Sequence, residues 1–274
     1  MASSESYHHA EKTGNAGDVW KHFILLAITE ALIKERSPSS QSALFVYVDT
    51  HAGKGRYCLP PKGDWRWGLG TIRPHLQEHA EWPYFRLLSR FDANVYPGSW
   101  HLVGSYLHER NVPFELHLAE NNQTVKKDLD VIARSLPFGS HIRSYYMNGF
   151  ELPSCLPRVD LVLVDPPFGS KSTDWKQIVK MLPVLKRVAS AFLIWYPITN
   201  KRFRPDDLIR EVSMPGYEIH WSPINPGGNL KGCGMIGGGQ AATILDQLCP
   251  QLQRLSRLLP WRGTGFDHAH VHLV

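Results

Sequence analysis

The four cysteines of the 274-residue chain are scattered along it: Cys58, Cys155, Cys233 and Cys249. This spacing favours neither a zinc site nor a disulfide framework, so we interpret them as reduced thiols. Long apolar runs are also lacking. The longest one near the N-terminus, from residue 23 to residue 28, is too short to cross a membrane and belongs to an amphipathic helix pattern. We therefore expect a cytoplasmic protein without a membrane anchor or a targeting segment.

The composition is otherwise that of an ordinary globular protein. Apolar residues make up 43% of the chain and aromatic residues 11%, which is enough to bury a substantial core in one large domain or in one domain with an insertion. The formal net charge of +5 at neutral pH favours polyanionic partners such as nucleic acids, although charge alone does not identify a partner.

The N-terminal region predicts a helix, then a strand, then a ligand-binding loop. Asp18 is the expected cap of a helix whose apolar residues recur at helical spacing. The apolar and β-rich run at 43–48 predicts a strand. It is followed by Asp49-Thr50-His51-Ala52-Gly53-Lys54-Gly55, in which Gly53 and Gly55 permit a tight turn close to a ligand. The same pattern also fits a plain glycine-containing loop.

Strand patterns recur along the rest of the chain, separated in places by helical patterns such as that at 175–188. They are predicted at 114–119, 141–147, 161–164, 191–196, 217–221 and 270–273. This alternation predicts an α/β fold with a mostly parallel sheet covered by helices on both faces. Asp49, Glu120 and Asp165 each stand just past an apolar run, where the ligand crevice of such sheets lies. Glu120 is the candidate to bind ribose hydroxyls, but it fits a solvated carboxylate equally well.

The position of Glu120 indicates an insertion before it. In nucleotide-binding α/β units the ribose-binding acid usually lies roughly 20 residues after the glycine turn. Glu120 lies much further from Gly55, and the stretch between them contains tryptophans and many prolines, glycines and charges. We therefore assign residues 58–94 to a small inserted helical subdomain, and residues 1–57 and 95–274 to the main domain.

The sequence Asp165-Pro166-Pro167-Phe168, directly after a strand pattern, is the strongest indication of chemistry. The amino nitrogen of adenine is a poor nucleophile because its lone pair is delocalised into the ring. Hydrogen bonds from this amine to the Asp165 side chain and the Pro166 carbonyl would aim the lone pair at an electrophilic methyl group. The Pro-Pro step would hold both acceptors rigidly, and Phe168 would stack on a flipped-out base. The alternative is a simple strand-terminating turn.

Two further clusters have both a functional and a plain interpretation. Lys201-Arg202-Phe203-Arg204 interleaves basic residues with an aromatic one, which suits RNA phosphates and a base, but such charge runs are more often solvated loops. His268, His270 and His272 alternate along the last strand pattern. Without a carboxylate or a cysteine at ligand spacing, they predict no metal site.

The pattern of these residues resembles one family along nearly the whole chain, the bacterial 23S rRNA adenine-N6 methyltransferases called RlmJ. The matching residues are Tyr7, Gly14-Asn15, Asp18-Val19, Lys21-His22, Tyr47-Val48-Asp49-Thr50-His51-Ala52-Gly53, Gly55-Arg56-Tyr57, Tyr96-Pro97-Gly98-Ser99, Asp165-Pro166-Pro167, Trp195-Tyr196-Pro197, Gly232, Gly234-Met235 and Gly263-Thr264-Gly265. The pairing of a His-Ala-Gly turn with an upstream Asp-Val-x-Lys-His helix is specific to this family.

The resemblance implies a Rossmann-like class I S-adenosylmethionine-dependent methyltransferase fold with a small helical insertion, and an adenine N6 of 23S rRNA as the methyl acceptor. With the reasoning above, it gives Asp165, Pro166 and Phe168 as catalytic residues. The expected cofactor contacts are His22, His51, Gly53, Ser99, Glu120, Asn148, Gly149 and Asp165. The expected RNA contacts are Tyr7, Lys21, Lys201, Arg202 and Arg204. We expect a monomer that binds 23S rRNA and neither a metal nor a membrane.

The chain departs from the family pattern at several positions. Glu11-Lys12-Thr13 replaces a histidine and aromatic residues, Asn148 an aspartate, Phe168 a tyrosine and Gly169 an acidic residue. Gly237-Gly238-Gly239-Gln240 stands where the family commonly has Asn-Pro-Pro-Trp. We expect methyl transfer to survive these changes, while the RNA target is more open to change.

Two alternatives remain open from the sequence. The chain could methylate adenine N6 in DNA or in another RNA, or it could be a nucleic-acid-binding module without activity, for which Asn148 is the best hint. If Asp165 acts as an ionised acceptor, activity should fall in acid and show no basic limb from a histidine.

Overall fold

The computed structural model describes residues 11–36, 43–168, 173–199, 214–220, 230–263, 266–268 and 270–273, with the backbone only from residue 260 onward. The helices in these ranges are α1 Ala16–Lys34, α2 Leu69–Ile72, α3 Pro83–Leu88, α4 Ser99–Glu109, α5 Gln123–Ser135, α6 Thr173–Val188, α7 Gln240–Gln247 and α8 Cys249–Ser256. Short 3-10 helices lie at Asp64–Trp67, Arg73–His75, Gly139–His141 and Gly149–Cys155. Within these ranges, no helix combines the length and the apolar composition that a membrane crossing needs.

The strands are β1 Phe45–Asp49, β2 Arg56–Cys58, β3 Val95–Pro97, β4 Phe114–Glu120, β5 Ile142–Tyr146, β6 Val159–Val164, β7 Ala189–Thr199, β8 Gly216–His220, β9 Leu230–Gly239, β10 Pro260–Gly263, β11 Phe266–His268 and β12 His270–Leu273. In the described part of the chain, the largest sheet has eight strands in the order β12-β8-β9-β7-β6-β1-β4-β5. Strands β5, β4, β1, β6 and β7 run parallel, whereas β9 is antiparallel to β7 and β8, and β12 is antiparallel to β8.

The strand order places a topological switch point at the centre of the parallel strands. From β1 the chain builds outward through β4 to β5, and it then returns to place β6 on the other side of β1. In open α/β sheets the ligand crevice lies at such a reversal, beyond the carboxyl ends of the strands. The Rossmann-like fold predicted from the sequence is confirmed, and its parallel half ends in an antiparallel extension.

The two faces of the sheet bury separate apolar cores. Along β6, Leu161 and Leu163 point to the core that contains α1, α4, α7 and α8. Val162 and Val164 point to the opposite core, which contains the apolar side of α6. Strands buried on both faces are nearly continuous apolar runs, which explains why β6 could be recognised in the sequence. Helices on both faces were predicted and are observed.

Helix α1 differs from the prediction in its cap and its burial. Its N-cap is Asn15, whose side chain accepts the Asp18 N–H, while Asp18 accepts the Gly14 N–H. The expectation that Asp18 caps the helix was wrong, because the helix starts earlier and Asp18 lies within its first turn. The helix is also buried on every side at 19–28, since α3, α4 and α7 cover it opposite the sheet. It is therefore a central core helix rather than an amphipathic one.

The stretch at 58–94 contains helices α2 and α3, as its predicted helical character requires. Strands β2 and β3 pair in antiparallel fashion at its two ends, with Cys58 opposite Val95. Its apolar side chains, including Ile72 and Phe85, join the same core as α1. The assignment of 58–94 as a subdomain of its own stays a prediction.

The predicted strands correspond to β1, β4, β5, β6, β7, β8 and β12, with ends shifted by up to three residues; Trp221 lies outside the described residues. Strand β9 was missed because glycine is rare in strands, and its sequence is LKGCGMIGGG. A Cβ at Gly234 would lie 2.0 Å from the Tyr196 ring, and one at Gly238 would lie 2.1 Å from the Phe192 ring. Gly234 and Gly238 thus make room for two aromatic side chains of β7.

The loop after β1 depends on its two glycines, as the sequence predicted. Gly53 has φ +59° and Gly55 has φ +78°, a region that side chains of L-residues rarely adopt. A Cβ at Gly55 would also lie 2.0 Å from the Trp100 indole, which is fully buried. The turn therefore needs glycine at position 55 for conformation and for space.

We predict that Gly55→Ala lowers the free energy of unfolding by about 2–4 kcal/mol, through left-handed strain and overpacking against Trp100. Gly70→Ala is the matched control, because its Cβ would lie no closer than 3.3 Å to any atom and its φ is not positive. Its effect should be within about 0.5 kcal/mol of zero. Urea unfolding of both variants checks this; equal losses would contradict the role given to Gly55.

Candidate active site

The carboxyl ends of β6, β1 and β4 lie side by side and carry the acidic residues singled out in the sequence. Asp49 is the last residue of β1 and pairs in register with Leu118 of β4 and Leu163 of β6. Glu120 ends β4, and Asp165 directly follows β6. The structure thus places all three carboxylates at one edge of the sheet, around the switch point.

Glu120 holds the glycine loop in place. Its Oε2 accepts the Gly53 N–H at 3.1 Å, and its Oε1 accepts the Asn122 N–H at 2.7 Å. The residues that precede Gly53 and Glu120 also bind each other, because the Ala52 N–H donates to the Ala119 carbonyl at 3.0 Å. Each carboxylate oxygen can accept more than one hydrogen bond, so Glu120 keeps acceptor capacity for hydroxyls of a ligand.

Asp49 is a fully buried carboxylate that joins the loop to helix α4. It accepts hydrogen bonds from the Ser99 hydroxyl, from Tyr47 Oη at 3.1 Å and from the His51 N–H at 3.3 Å. Burial raises the pKa of Asp49 to about 6; the Ser99 hydrogen bond opposes this rise and the nearby Asp165 carboxylate adds to it. The sequence marked Asp49 as a strand-end acid but assigned it no binding role.

His51 and Gly149 pack beside this loop. The His51 Nδ1 lies 2.8 Å from Thr50 Oγ1, and the ring meets Phe150 edge-on at 4.8 Å between centroids. Burial lowers the pKa of His51 to about 4, so the imidazole is neutral near pH 7. Gly149 packs directly on the loop, because a Cβ there would lie 1.6 Å from the Thr50 carbonyl oxygen.

Asn148 caps the 3-10 helix that begins at Gly149. Its Oδ1 accepts the Phe150 N–H at 3.3 Å, and its Nδ2 donates to Glu151 Oε1 at 3.1 Å. An amide performs this cap as well as a carboxylate does, and it presents both an acceptor and a donor. The replacement of the family's aspartate therefore preserves the local structure.

Lys21 lies between two carboxylates in the centre of the site. Its ammonium is 2.6 Å from Asp165 Oδ2 and 3.0 Å from Asp18 Oδ1, and its side chain is only 11% exposed. The ammonium also lies 5.5 Å from the ring centroid of Trp195. Helix α1 thereby fixes the loop that follows β6.

Charge decides the ionisation states within this cluster. Burial opposes the charged form of Lys21, but Asp165 and Asp18 outweigh it, and the pKa of Lys21 is raised. Burial also opposes the charged form of Asp18, but Lys21, His22 and the Gly14 N–H together lower the pKa of Asp18. Lys21 is therefore a permanent cation near neutral pH, and Asp18 a permanent anion.

Aromatic rings surround the Asp165 loop. Phe168 has φ +46°, which is unusual for a bulky residue and is typical of strained functional sites. Its ring lies 4.9 Å from the Trp175 centroid and 5.9 Å from the Trp195 centroid. Trp195 was not among the predicted site residues, although its position near the end of a strand next to β6 is a usable signal.

His22 follows Lys21 on α1 and is almost completely buried. Burial, and next the charge of Lys21, lower the pKa of His22 to about 3, so its ring is neutral. Its Nδ1 lies 2.7 Å from Tyr96 Oη. Tyr96 is followed in the sequence by Pro97 and Gly98, which lead to Ser99.

Several predicted features cannot be placed. Tyr7, Lys201, Arg202 and Arg204 lie outside the described residues, as does Gly169. Among the residues that are described, no group of three or more histidine, cysteine, aspartate or glutamate side chains could hold a metal ion. The side chains of the alternating C-terminal histidines are not described.

Comparison with known proteins supports a relationship over most of the chain. The family model "Ribosomal RNA large subunit methyltransferase D, RlmJ" matches residues 42–266. The ribosomal RNA large subunit methyltransferase J of Haemophilus influenzae is 27% identical, over 95% of this chain and 96% of that protein. Its counterpart in Escherichia coli is also 27% identical, over 98% of both chains.

A solved structure supports the fold. The crystal structure of a protein from Legionella pneumophila matches with a TM-score of 0.77 at 21% sequence identity. The match covers 96% of this chain and 97% of that chain. The arrangement of strands and helices is therefore shared along nearly the whole length.

We predict that Lys21→Met lowers the free energy of unfolding by about 3 kcal/mol, because Asp18 and Asp165 lose their shared counter-ion. Asp18 has a lowered pKa when folded, so its contribution is present above its unfolded pKa and is lost as the pH falls through the folded value. The raised pKa of Lys21 gives a contribution that is lost only at high pH. The difference in the free energy of unfolding between wild type and Lys21→Met should therefore be largest from about pH 5 to 9 and should shrink below about pH 4.

Urea unfolding across this pH range measures the difference. Lys34→Met is the control, since Lys34 is 63% exposed in its pair with Glu30, and it should cost less than about 0.5 kcal/mol. A loss for Lys21→Met that is no larger than the control, or that grows in acid, would contradict the account of the cluster.

Proposed function

Because the chain belongs to the RlmJ family of ribosomal RNA large subunit methyltransferases, we propose that it transfers a methyl group from S-adenosylmethionine to the N6 amine of an adenine in 23S rRNA. The observation that carries this proposal is the placement of Asp165-Pro166-Pro167-Phe168. This segment follows β6 at the switch point of the sheet, and Lys21 holds its carboxylate at 2.6 Å. Membership of the family supplies the class of substrate.

The residues around the switch point fit S-adenosylmethionine. Gly53 keeps the loop after β1 close to Glu120, whose carboxylate retains acceptor capacity for ribose hydroxyls. The expected further contacts are His22, His51, Ser99, Asn148 and Gly149. When bound, the cofactor would supply an electrophilic methyl group on a sulfonium: the bond from the adenine nitrogen to the methyl carbon would form as the carbon–sulfur bond breaks, and the electron pair would stay on the sulfur of the departing thioether.

The electrostatics of the cleft favour a cationic ligand. Burial at the end of β1 raises the pKa of Asp49, and the charge of the nearby Asp165 carboxylate adds to that rise. Lys21 neutralises only part of the negative charge, because Asp18 shares it. A sulfonium and an ammonium near these carboxylates would relieve their repulsion.

Asp165 and Pro166 would accept hydrogen bonds from the adenine amine and so direct its lone pair. Lys21 is bound to Asp165 Oδ2, which fixes the carboxylate orientation before the base arrives. The buried position of Lys21 between two carboxylates supports this positioning role better than a direct phosphate contact. The nitrogen then loses one proton to solvent as the methylated amine forms.

Recognition of RNA would involve stacking of the target base on Phe168, which stands beside Trp195 and Trp175. Contacts of Tyr7, Lys201, Arg202 and Arg204 with the RNA remain predictions from the sequence. The cytoplasmic location and the monomeric state likewise stay predictions.

The function is tested by incubating the protein with radiolabelled S-adenosylmethionine and unmodified 23S rRNA. We predict incorporation of the label, and a loss of at least about 100-fold in Asp165→Ala, since one preorganised group at a reacting centre commonly contributes that much. Asp128→Ala, on the exposed side of α5, is the matched control and should keep full activity. No incorporation by wild type, or the same rate in Asp165→Ala, would refute the proposal; faster methylation of DNA would favour the alternative substrate.

Binding of S-adenosylmethionine should depend on the ionisation of Asp49. Its pKa is about 6, so the free protein holds a carboxylate there above pH 6 and a neutral acid below. Since a cationic ligand prefers the ionised form, affinity should fall as the pH drops below about 6, by up to tenfold per pH unit. Calorimetry between pH 5 and 8 checks this, with Asp49→Asn as a control that should bind weakly and without this pH dependence. Constant wild-type affinity down to pH 5 would be the contrary result.

A further inference from the structure

Three hydrogen-bonded side chains, His22, Tyr96 and Tyr84, lead from the site into the core, and we call them the His22 relay. Tyr96 Oη lies 2.7 Å from His22 Nδ1 and 2.9 Å from Tyr84 Oη. His22 belongs to α1, Tyr96 to β3 and Tyr84 to α3 within the inserted stretch. Their exposed fractions are 2%, 1% and 0%, so solvent does not compete for these hydrogen bonds. The His22 relay therefore connects the inserted stretch to His22, the residue next to Lys21.

Burial fixes the direction in which the hydroxyls donate. In the described part of the chain, Tyr96 Oη is the partner found for Tyr84 Oη. If His22 donated to Tyr96, and Tyr96 to Tyr84, the Tyr84 hydrogen would be buried without an acceptor. A buried donor without a partner costs more than an unused lone pair on an oxygen. The favoured order runs from Tyr84 to Tyr96 and from Tyr96 to His22 Nδ1.

This order determines the tautomer of His22. The ring is neutral near pH 7, so it carries one proton. Since Nδ1 accepts from Tyr96, the proton resides on Nε2. Within the described residues no hydrogen bond to Nε2 is found, and Nε2 is not among their fully buried side-chain atoms without a partner, which are the indole nitrogens of Trp20, Trp100 and Trp195. The Nε2–H therefore keeps access to solvent, which the Tyr84 hydroxyl lacks, and is available as a donor to a ligand.

We propose that Tyr84 and Tyr96 are positioning residues that hold His22 in the Nε2–H tautomer, so that it donates to an oxygen acceptor of S-adenosylmethionine. The proposal rests on the proposed function, in which His22 contacts the cofactor. The Tyr84 hydroxyl has no other described hydrogen bond, and a phenylalanine would fill the same apolar space. The hydrogen bond from the Tyr84 hydroxyl to Tyr96 explains why this core position holds a tyrosine. The inserted stretch thereby contributes to cofactor binding without touching the cofactor.

Histidine-selective 15N NMR tests the tautomer without any need for activity. The His22 signals are assigned by their loss in His22→Gln, and the two ring nitrogens of a neutral imidazole differ clearly in chemical shift. We expect a proton on Nε2 in the wild type, and a mixture of tautomers in Tyr96→Phe and, to a smaller extent, in Tyr84→Phe. A wild-type proton on Nδ1 would overturn the relay, as would an unchanged His22 spectrum in both variants.

Calorimetry then tests the consequence for binding. Tyr96→Phe should weaken the affinity for S-adenosylmethionine by about two- to tenfold, in proportion to the fraction of the Nε2–H tautomer that is lost, and Tyr84→Phe should weaken it less. Tyr106→Phe is the matched control, because Tyr106 is equally buried and its hydroxyl also binds a residue of α1. It donates to Glu30 Oε1 at 3.0 Å. The control variant should leave the affinity and the His22 signals unchanged.

The NMR test of the tautomer and the calorimetric test of binding can fail independently of each other. Unchanged affinity in both tyrosine variants, with the tautomer disturbed, would overturn the link between His22 and the cofactor. A wild type that binds no S-adenosylmethionine would overturn the proposed function, while the NMR spectra would still decide the relay. An equal loss of affinity in Tyr106→Phe would show a general packing effect and contradict the positioning role.

Discussion

The ion cluster of Lys21 with Asp18 and Asp165 is the constraint on which the site depends. Lys21 projects from the central helix α1, and its ammonium lies 2.6 Å from the loop after β6 and 3.0 Å from the start of its own helix. Removing a charged group from water is costly, and this cost is offset only when opposite charges are held at short distance. The position of α1 on the sheet and the conformation of the Asp165 loop are therefore coupled: neither can shift without leaving buried charge unpaired.

The rest of the site is built from short contacts between loops that follow neighbouring strands. Glu120 holds the Gly53 loop, Asp49 holds Ser99, and Gly149 packs on Thr50. Glu120, Ser99 and Gly149 belong to three different segments of the chain, and each of them contacts the loop after β1. The parallel strands deliver them to one edge, and glycine removes the side chains that would keep the loops apart. A cleft with several acceptors and one shielded cation results, which suits a cationic methyl donor and an amine acceptor.

The sequence predicted the parts of this arrangement that are local. An apolar strand that ends in an acid or in Asp-Pro-Pro marks the edge of a parallel sheet, so Asp49, Glu120 and Asp165 could be placed without coordinates. Residues whose role depends on partners far along the chain could not. Nothing near Asp18 shows that it shares Lys21 with Asp165, and Tyr84 lies in an insertion with no local signal. Strand β9 was missed for the same reason, because two of its glycines, Gly234 and Gly238, are explained by the Tyr196 and Phe192 rings of a neighbouring strand.

If this edge of the sheet methylates an exocyclic adenine amine in rRNA, the transferred methyl group must be found on N6 of an adenine, and its position can be measured. After reaction of unmodified 23S rRNA with S-adenosylmethionine that carries a deuterated methyl group, the RNA is digested to nucleosides and analysed by mass spectrometry. We expect the deuterium label in N6-methyladenosine. Label in a different nucleoside, or on a ring nitrogen of adenine, would contradict it.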